Sequence, residues 1–180
     1  MAGMTNTVHQ QWIKCFPPTQ QRGIMGATQG FLSAYKLAPN SIASSTVLTA
    51  DPELIIPMVQ AGIPYNVSIF LNLTASAALG SVQFNFASST ATVQTMALVT
   101  QYYTAAGVQT NGAVAQALST AVTSGTAAIQ VVALVSGTIV FATPGSFSMN
   151  LAQAASSATA TVVDINSMML IESAIPSVTM

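Results

Sequence analysis

The chain has 180 residues, of which 4% are Asp, Glu, Lys or Arg and 51% are hydrophobic, and its formal net charge is −1. Soluble domains carry about 25% charged residues, so the surface of this one has to be neutral and polar. The length suits one domain with a core of useful size, and the 110 residues from 54 to 163 hold no charged group and no histidine, which leaves general acid–base catalysis almost nothing to use.

Residues 1–40 differ from the remainder. The stretch "CFPPTQQRGIMGATQGF" holds two prolines and three glycines and sustains no period, so it reads as an extended N-terminal arm. Within it "GATQG" lacks the lysine and hydroxyl of a phosphate loop and reads as loop glycine. The three cations Lys14, Arg22 and Lys36 all lie in this arm, whereas Asp51, Glu53, Asp164 and Glu172 lie beyond it. The arm is therefore expected to tether the protein to a partner. Trp12 and Phe16 would anchor it by apolar contact, with Lys14, Arg22 and Lys36 facing an acidic surface. Three spread cations make too few phosphate contacts for a nucleic-acid partner. The chain opens without a basic start leading into an apolar core, so no signal peptide is expected. Cys15 has no second cysteine to pair with. Together with His9 it makes two soft ligands where zinc sites take three or four, so neither metal nor cofactor is expected.

From Ser41 the apolar residues recur with period two, the mark of half-buried strands. "SIASSTVLTA" leads through the turn "DPE" to "LIIPMV", where Pro57 argues for a sheet edge or a bulge. In "PYNVSIFLNLT" Val67, Ile69, Leu71 and Leu73 face one side, and Asn66, Ser68 and Asn72 the other. "SVQFNF" repeats the pattern with Val82, Phe84 and Phe86, and "VQTMALVTQYYT" follows. "GAVAQALSTAV" spaces Val114, Leu118 and Val122 four apart and predicts one short helix. "AIQVVALV" reads as a strand, and "TIVFATPGSFSMNLAQA" as a hairpin closed by Pro144-Gly145. "TATVVDI" and "MMLIES" end the series. Eight to ten short strands separated by turn signals predict an all-β fold, a jelly-roll-like β-sandwich over 41–180.

A mean hydropathy of +0.59 raises the question of a membrane. The most apolar window, Ala127 to Thr143, carries Gln130, Ser136, Gly137 and Thr138 and fits two strands better than a spanning helix, which needs about 20 apolar residues. One Trp and four Tyr do not supply the aromatic girdles of an outer-membrane barrel. No membrane partner is expected.

Strand faces of Ser, Thr, Asn and Gln stay hydrated without charge, and they pack on a neighbouring copy without the desolvation cost of burying ions. Weak self-repulsion at a net charge of −1 points the same way, toward self-assembly. No nucleophile sits beside a base, the single histidine lies in the arm, and Asp51 and Glu53 read as turn residues, so no enzyme and no catalytic residues are expected. The rival of a different class is glycan binding by stacking and neutral hydrogen bonds, with Tyr102, Tyr103, Gln109 and Asn111 as the candidates. Tyr102 and Tyr103 are adjacent, so on a strand one of them faces the core.

The stretches "AGIPYNVSIFLNLTA" and "ALVSGTIVFATPGSFSMNLAQAASSATATVVDINSMMLIE" resemble the β-sandwich domain of accessory virion proteins of tailed bacteriophages. The matching positions are Gly62, Tyr65, Val67 and Leu71, then Gly145, Leu151, Ala152 and Gln153, then Val162, Val163, Ser167, Met169 and Glu172. The likeness spans about residues 50 to 175, and its motifs mark strand positions and turns. It implies a jelly-roll-like subunit, usually a homotrimer, that decorates or cements a capsid by contact with the major capsid protein. It equally implies a part of a tail or fibre. It brings no catalytic residues, and it places the protein in the virion after synthesis in the host cytoplasm.

Overall fold

The structure is a computed structural model that describes residues 31–75, 82–123 and 130–174. Among the described residues there are twelve strands and no helix: β1 (Phe31–Tyr35), β2 (Asn40–Ile42), β3 (Thr49–Val59), β4 (Pro64–Ala75), β5 (Val82–Ala87), β6 (Val93–Thr104), β7 (Gln109–Ala115), β8 (Val122–Thr123), β9 (Gln130–Phe141), β10 (Gly145–Gln153), β11 (Thr161–Val163) and β12 (Met168–Ser173). The two-residue period sets the faces as the sequence predicts. Val67, Ile69, Leu71 and Leu73 of β4 are buried, as are Val82, Phe84 and Phe86 of β5.

Two antiparallel sheets pack face to face as a sandwich. The smaller has the order β3-β10-β5-β8, and the larger runs β1-β12-β4-β9-β6-β7 with β11 and β2 alongside β4. Between β3 and β10 only the β6–β7 connection stays within one sheet; every other link crosses to the opposite one. That winding, with β3-β10-β5-β8 facing β4-β9-β6-β7, is the double Greek key of a jelly roll. Pro57 falls on β3, an edge strand, at a register shift against β10 between Val59 and Ile56, where its missing N–H costs no ladder bond.

An aromatic chain joins the two layers through the core. Tyr65 meets Phe141 edge-on at 6.1 Å, Phe141 meets Phe147 at 5.6 Å, and Phe147 stacks on Phe86 at 5.4 Å. Phe86 then meets Phe84 at 5.8 Å, and Phe84 meets Tyr102 at 6.5 Å. The series starts and ends on the larger sheet and passes through the smaller one, so each ring adds edge-on, stacked or tilted aromatic contact to the area it buries.

Four expectations change. The Pro144-Gly145 turn does not close a hairpin, because β9 is paired on both sides, by β4 and β6, and β10 on both sides, by β3 and β5. It is an arch between sheets, held by the loop 88–92. Thr92 N–H donates to Thr143 Oγ1 at 2.8 Å, Thr143 Oγ1 to the Thr90 carbonyl at 2.9 Å, and Thr90 Oγ1 to the Pro144 carbonyl at 3.1 Å. Ser89 N–H donates to Ser146 Oγ at 3.0 Å. Uncharged hydroxyls serve here because they bridge two loops at close range, and Gly145 is required because a Cβ there would overlap the backbone of Thr90 and Ala91.

The window read as two strands is one, β9, in which Gly137 has φ +152° and lies too near the Ala97 carbonyl to carry a Cβ. The predicted helix over "GAVAQALSTAV" is also absent. Val114 pairs with Val99, and the Leu118 carbonyl accepts from Phe86 N–H at 2.9 Å, so the sheets claim the backbone groups a helix would use. Finally, the sandwich begins before residue 41. β1 pairs with β12 from Phe31↔Glu172 to Tyr35↔Met168, covering an otherwise open edge, and β2 pairs with β11.

Candidate functional site

Three of the chain's seven charges meet where the β1–β2 connection crosses β3. The β3 strand is irregular against β10 between Ile55 and Ala50, and Asp51 shapes that bulge by accepting the N–H groups of Glu53 at 2.9 Å and Leu54 at 3.0 Å on Oδ1. Its Oδ2 accepts from Lys36 Nζ at 2.7 Å and Asn40 Nδ2 at 3.1 Å. Glu53 lies 3.7 Å from Lys36 Nζ and accepts the N–H groups of Leu37 and Ala38, each at 3.1 Å. Burial pushes the Asp51 carboxyl up, but the Lys36 hydrogen bond, the two amide donors and the lysine charge together outweigh it and hold the group below its ordinary value.

This cluster is a staple between the N-terminal strands and β3. Its acceptor oxygens are taken by internal donors, and among the described residues no hydroxyl or thiol is hydrogen-bonded to it. Lys36, expected to face an acidic partner, is 3% exposed and spent on Asp51. The sequence hint was available in "DPE", since an Asp that turns the backbone needs only one nearby cation to complete its coordination. The other arm candidates, Trp12, Lys14, Phe16 and Arg22, lie outside the described residues.

The glycan candidates divide between the two faces of one strand. Tyr102 points into the core at 0% exposure, its hydroxyl without a hydrogen-bond partner, and desolvation pushes that hydroxyl's pKa up. It cannot reach a ligand, which corrects its place among the candidates. Tyr103 lies on the outer face, half-buried, with its hydroxyl 3.4 Å from both Gln101 Oε1 and Gln109 Oε1. Asn111 sits on β7 opposite Gln101. The fold thus gathers Tyr103, Gln101 and Gln109 and separates Tyr102 from them.

The outer face of the larger sheet is the broadest surface the strands form. Antiparallel registers align transverse rows upon it. One row runs Tyr35, Met168, Phe70, Leu134, Gln101, and the next runs Ser33, Leu170, Ser68, Ser136, Val99, Val114. Glu172, opposite Asn66 in the row after these, is the one charged residue on β1, β12, β4, β9, β6 and β7, and Asp164, just past β11, accepts from Thr74 Oγ1 at the margin of the same face. Sequence reading anticipated a face of Ser, Thr and Asn and missed the apolar row. The signal was where alternation breaks down: "IFL", "VVALV" and "MML" place large apolar residues on both sides of their strands. The outer face of the smaller sheet is polar along β10 and β5, with Asn150 Nδ2 donating to Asn85 Oδ1 at 3.0 Å and Ser148 Oγ to the Ala87 carbonyl at 3.3 Å, while β3 exposes Ile55 and Met58.

Among the described residues no three His, Cys, Asp or Glu side chains come together in a way that would hold a metal, and no helix is long and apolar enough to cross a membrane. Comparison with protein-family models, with curated proteins and with solved structures finds no match for this chain.

Proposed function

We propose that the protein is a structural virion subunit that self-associates, as a capsid decoration or cementing component in homotrimers that contact the major capsid protein. The observation that carries this reading is the broad outer face of a jelly-roll sheet whose strands β1, β12, β4, β9, β6 and β7 hold one charged side chain, Glu172, with Asp164 bonded to Thr74 at the β11 margin. A face of that kind binds water through Ser, Thr and Asn while it is free, and it loses that water without stranding charge when a neighbour arrives. The resemblance of residues 50 to 175 to accessory virion proteins supplies the setting. Placement in a tail or fibre rests on the same features and differs in copy number. The test is mass spectrometry of virions purified from the phage that encodes the chain, with copies counted against the major capsid protein. Hundreds of copies support decoration, a dozen or fewer support the tail, and absence from the particle overturns the reading.

Glycan binding in host attachment is the second reading, favoured by the grouping of Tyr103 with Gln101 and Gln109, a ring flanked by neutral amides. Saturable binding on a glycan array that Tyr103→Ala abolishes would support it; a blank array, or binding that survives the substitution, would remove it.

A further inference from the structure

Self-association has a definite place on this molecule, and we infer that the outer face of the larger sheet packs against a second copy of the same chain, centred on Phe70, Leu134, Met168 and Val99. This inference rests on the self-association proposed above and names one surface that carries it: contact of like faces pairs two chains about a two-fold axis, so it joins protomers of neighbouring homotrimers rather than closing the three-fold ring.

Its first ground is extent. Six strands, β1, β12, β4, β9, β6 and β7, average about nine residues each. At about 3.3 Å per residue and about 4.8 Å between strands, they form a face of roughly 700–900 Å². A specific protein–protein interface takes about 800 Å² from each partner. The face is large enough to be the whole of such an interface without help from loops.

The second ground is chemistry. The apolar side chains are adjacent rather than scattered, since Phe70 is opposite both Met168 and Leu134, and Val99 is opposite Val114. Val99 and Met168 are 43% and 42% exposed, and Tyr35 and Val114 lie in the same range. The apolar residues are bordered on one side by Ser68, Ser136, Thr138 and Asn66, so polar groups flank an apolar centre as they do in protein interfaces.

The third ground selects the occupant. A surface that recognises an unlike partner ordinarily displays charges complementary to it, and this one has none near its centre. A two-fold contact uses the same patch on both chains, residue i meeting j and j meeting i, so any charge near the centre is brought close to its own copy, and a centre without charge is the condition such contact needs. The smaller sheet exposes Ile55 and Met58 on β3 but offers four strands with about half the residues of the six on the larger face, too little for a whole interface. Its outer polar groups already bond to one another, as Asn150 does with Asn85, and Pro52 and Pro57 blunt its β3 edge.

The experiment uses the full chain and two double variants. Val99→Glu with Met168→Glu places a carboxylate at each of two exposed positions in the centre of the face; Ile55→Glu with Thr123→Glu does the same at two exposed positions of the smaller sheet. Circular dichroism and thermal unfolding establish that each variant is folded. Sedimentation equilibrium then reads the dissociation constant. The wild-type chain is expected to be oligomeric, the first variant to weaken association about 100-fold or more through uncompensated buried charge, and the second to match wild type. If the wild-type chain is monomeric throughout the accessible concentration range, both this inference and self-association fall. If the wild type is oligomeric and the first variant folds and associates equally well, this face is wrong while self-association stands. Should the first variant not fold, Ser136→Lys at an exposed neighbouring position is read in its place by the same criteria.

Discussion

Replacing Asp51 by alanine removes the acceptor at the centre of the staple. Lys36 is left with its side chain 1% exposed and only Glu53, 3.7 Å away, to balance its charge. Breaking one side of a buried pair costs about 3–5 kcal/mol. The N–H groups of Glu53 and Leu54 also lose their acceptor, adding about 1 kcal/mol where water cannot replace it. The total, about 4–6 kcal/mol, is a large share of the roughly 5–15 kcal/mol that holds a domain folded. Lys36→Met is milder, because Asp51 keeps Asn40 and both amide donors, and it is expected to cost about 2–3 kcal/mol. Urea unfolding followed by circular dichroism measures both. The reasoning fails if Asp51→Ala lies within about 1 kcal/mol of wild type, or if Lys36→Met is the more damaging of the two. The pair also has a pH signature. Asp51 titrates lower in the folded chain than its ordinary 3.8, so its contribution is complete above that value and is lost as pH falls through the folded pKa. The urea midpoint should therefore drop more steeply below about pH 4 in wild type than in Asp51→Asn.

Three other substitutions read separate parts of the argument. Gly137→Ala forces a Cβ against the Ala97 carbonyl at a φ of +152° in the central strand of the larger sheet. A loss of about 3 kcal/mol or more is expected in thermal unfolding, and a change under about 1 kcal/mol would mean that β9 and β6 can separate locally. Tyr102→Phe deletes a buried hydroxyl that has no partner and is expected to stabilise by about 1 kcal/mol; a loss of similar size would show that an internal water holds it. Gln153→Leu removes bonds to the Thr159 carbonyl at 2.8 Å and from Ser157 N–H at 3.0 Å. It should cost about 2 kcal/mol and raise amide exchange in residues 154–160, an outcome that unchanged exchange would refute.

Much of the sandwich was legible because its local rule is simple. Alternation in "PYNVSIFLNLT" and "SVQFNF" names the buried face directly, since successive side chains on a strand point to opposite sides. Pairing was not legible. "TIVFATPGSFSMNLAQA" contains a sound turn and two sound strands, and whether they pair with each other or enter different sheets depends on β4, β6, β3 and β5 having already taken their edges. The candidate surface divides in the same way. Its neutrality follows from composition, but its apolar centre requires Phe70, Leu134 and Met168 to come into register from strands far apart in the chain.

Lys36 shows the same division within a single residue. Its charge, its rarity and its nearness to the first regular strands are facts of the linear chain. Whether it reaches outward to a partner or inward to Asp51 was decided by the antiparallel seating of β1 on β12, which carries the following residue beside the β3 bulge. Period and composition act through neighbours along the chain, so the amino-acid order alone determined the clearly alternating strands such as β4 and β5, their buried faces and the scarcity of charge, while β1, β7 and the continuity of β9 needed their partners. Sheet order, the arch and the apolar rows arise from hydrogen-bond edges being filled once each, a competition among distant segments that only the folded structure resolves.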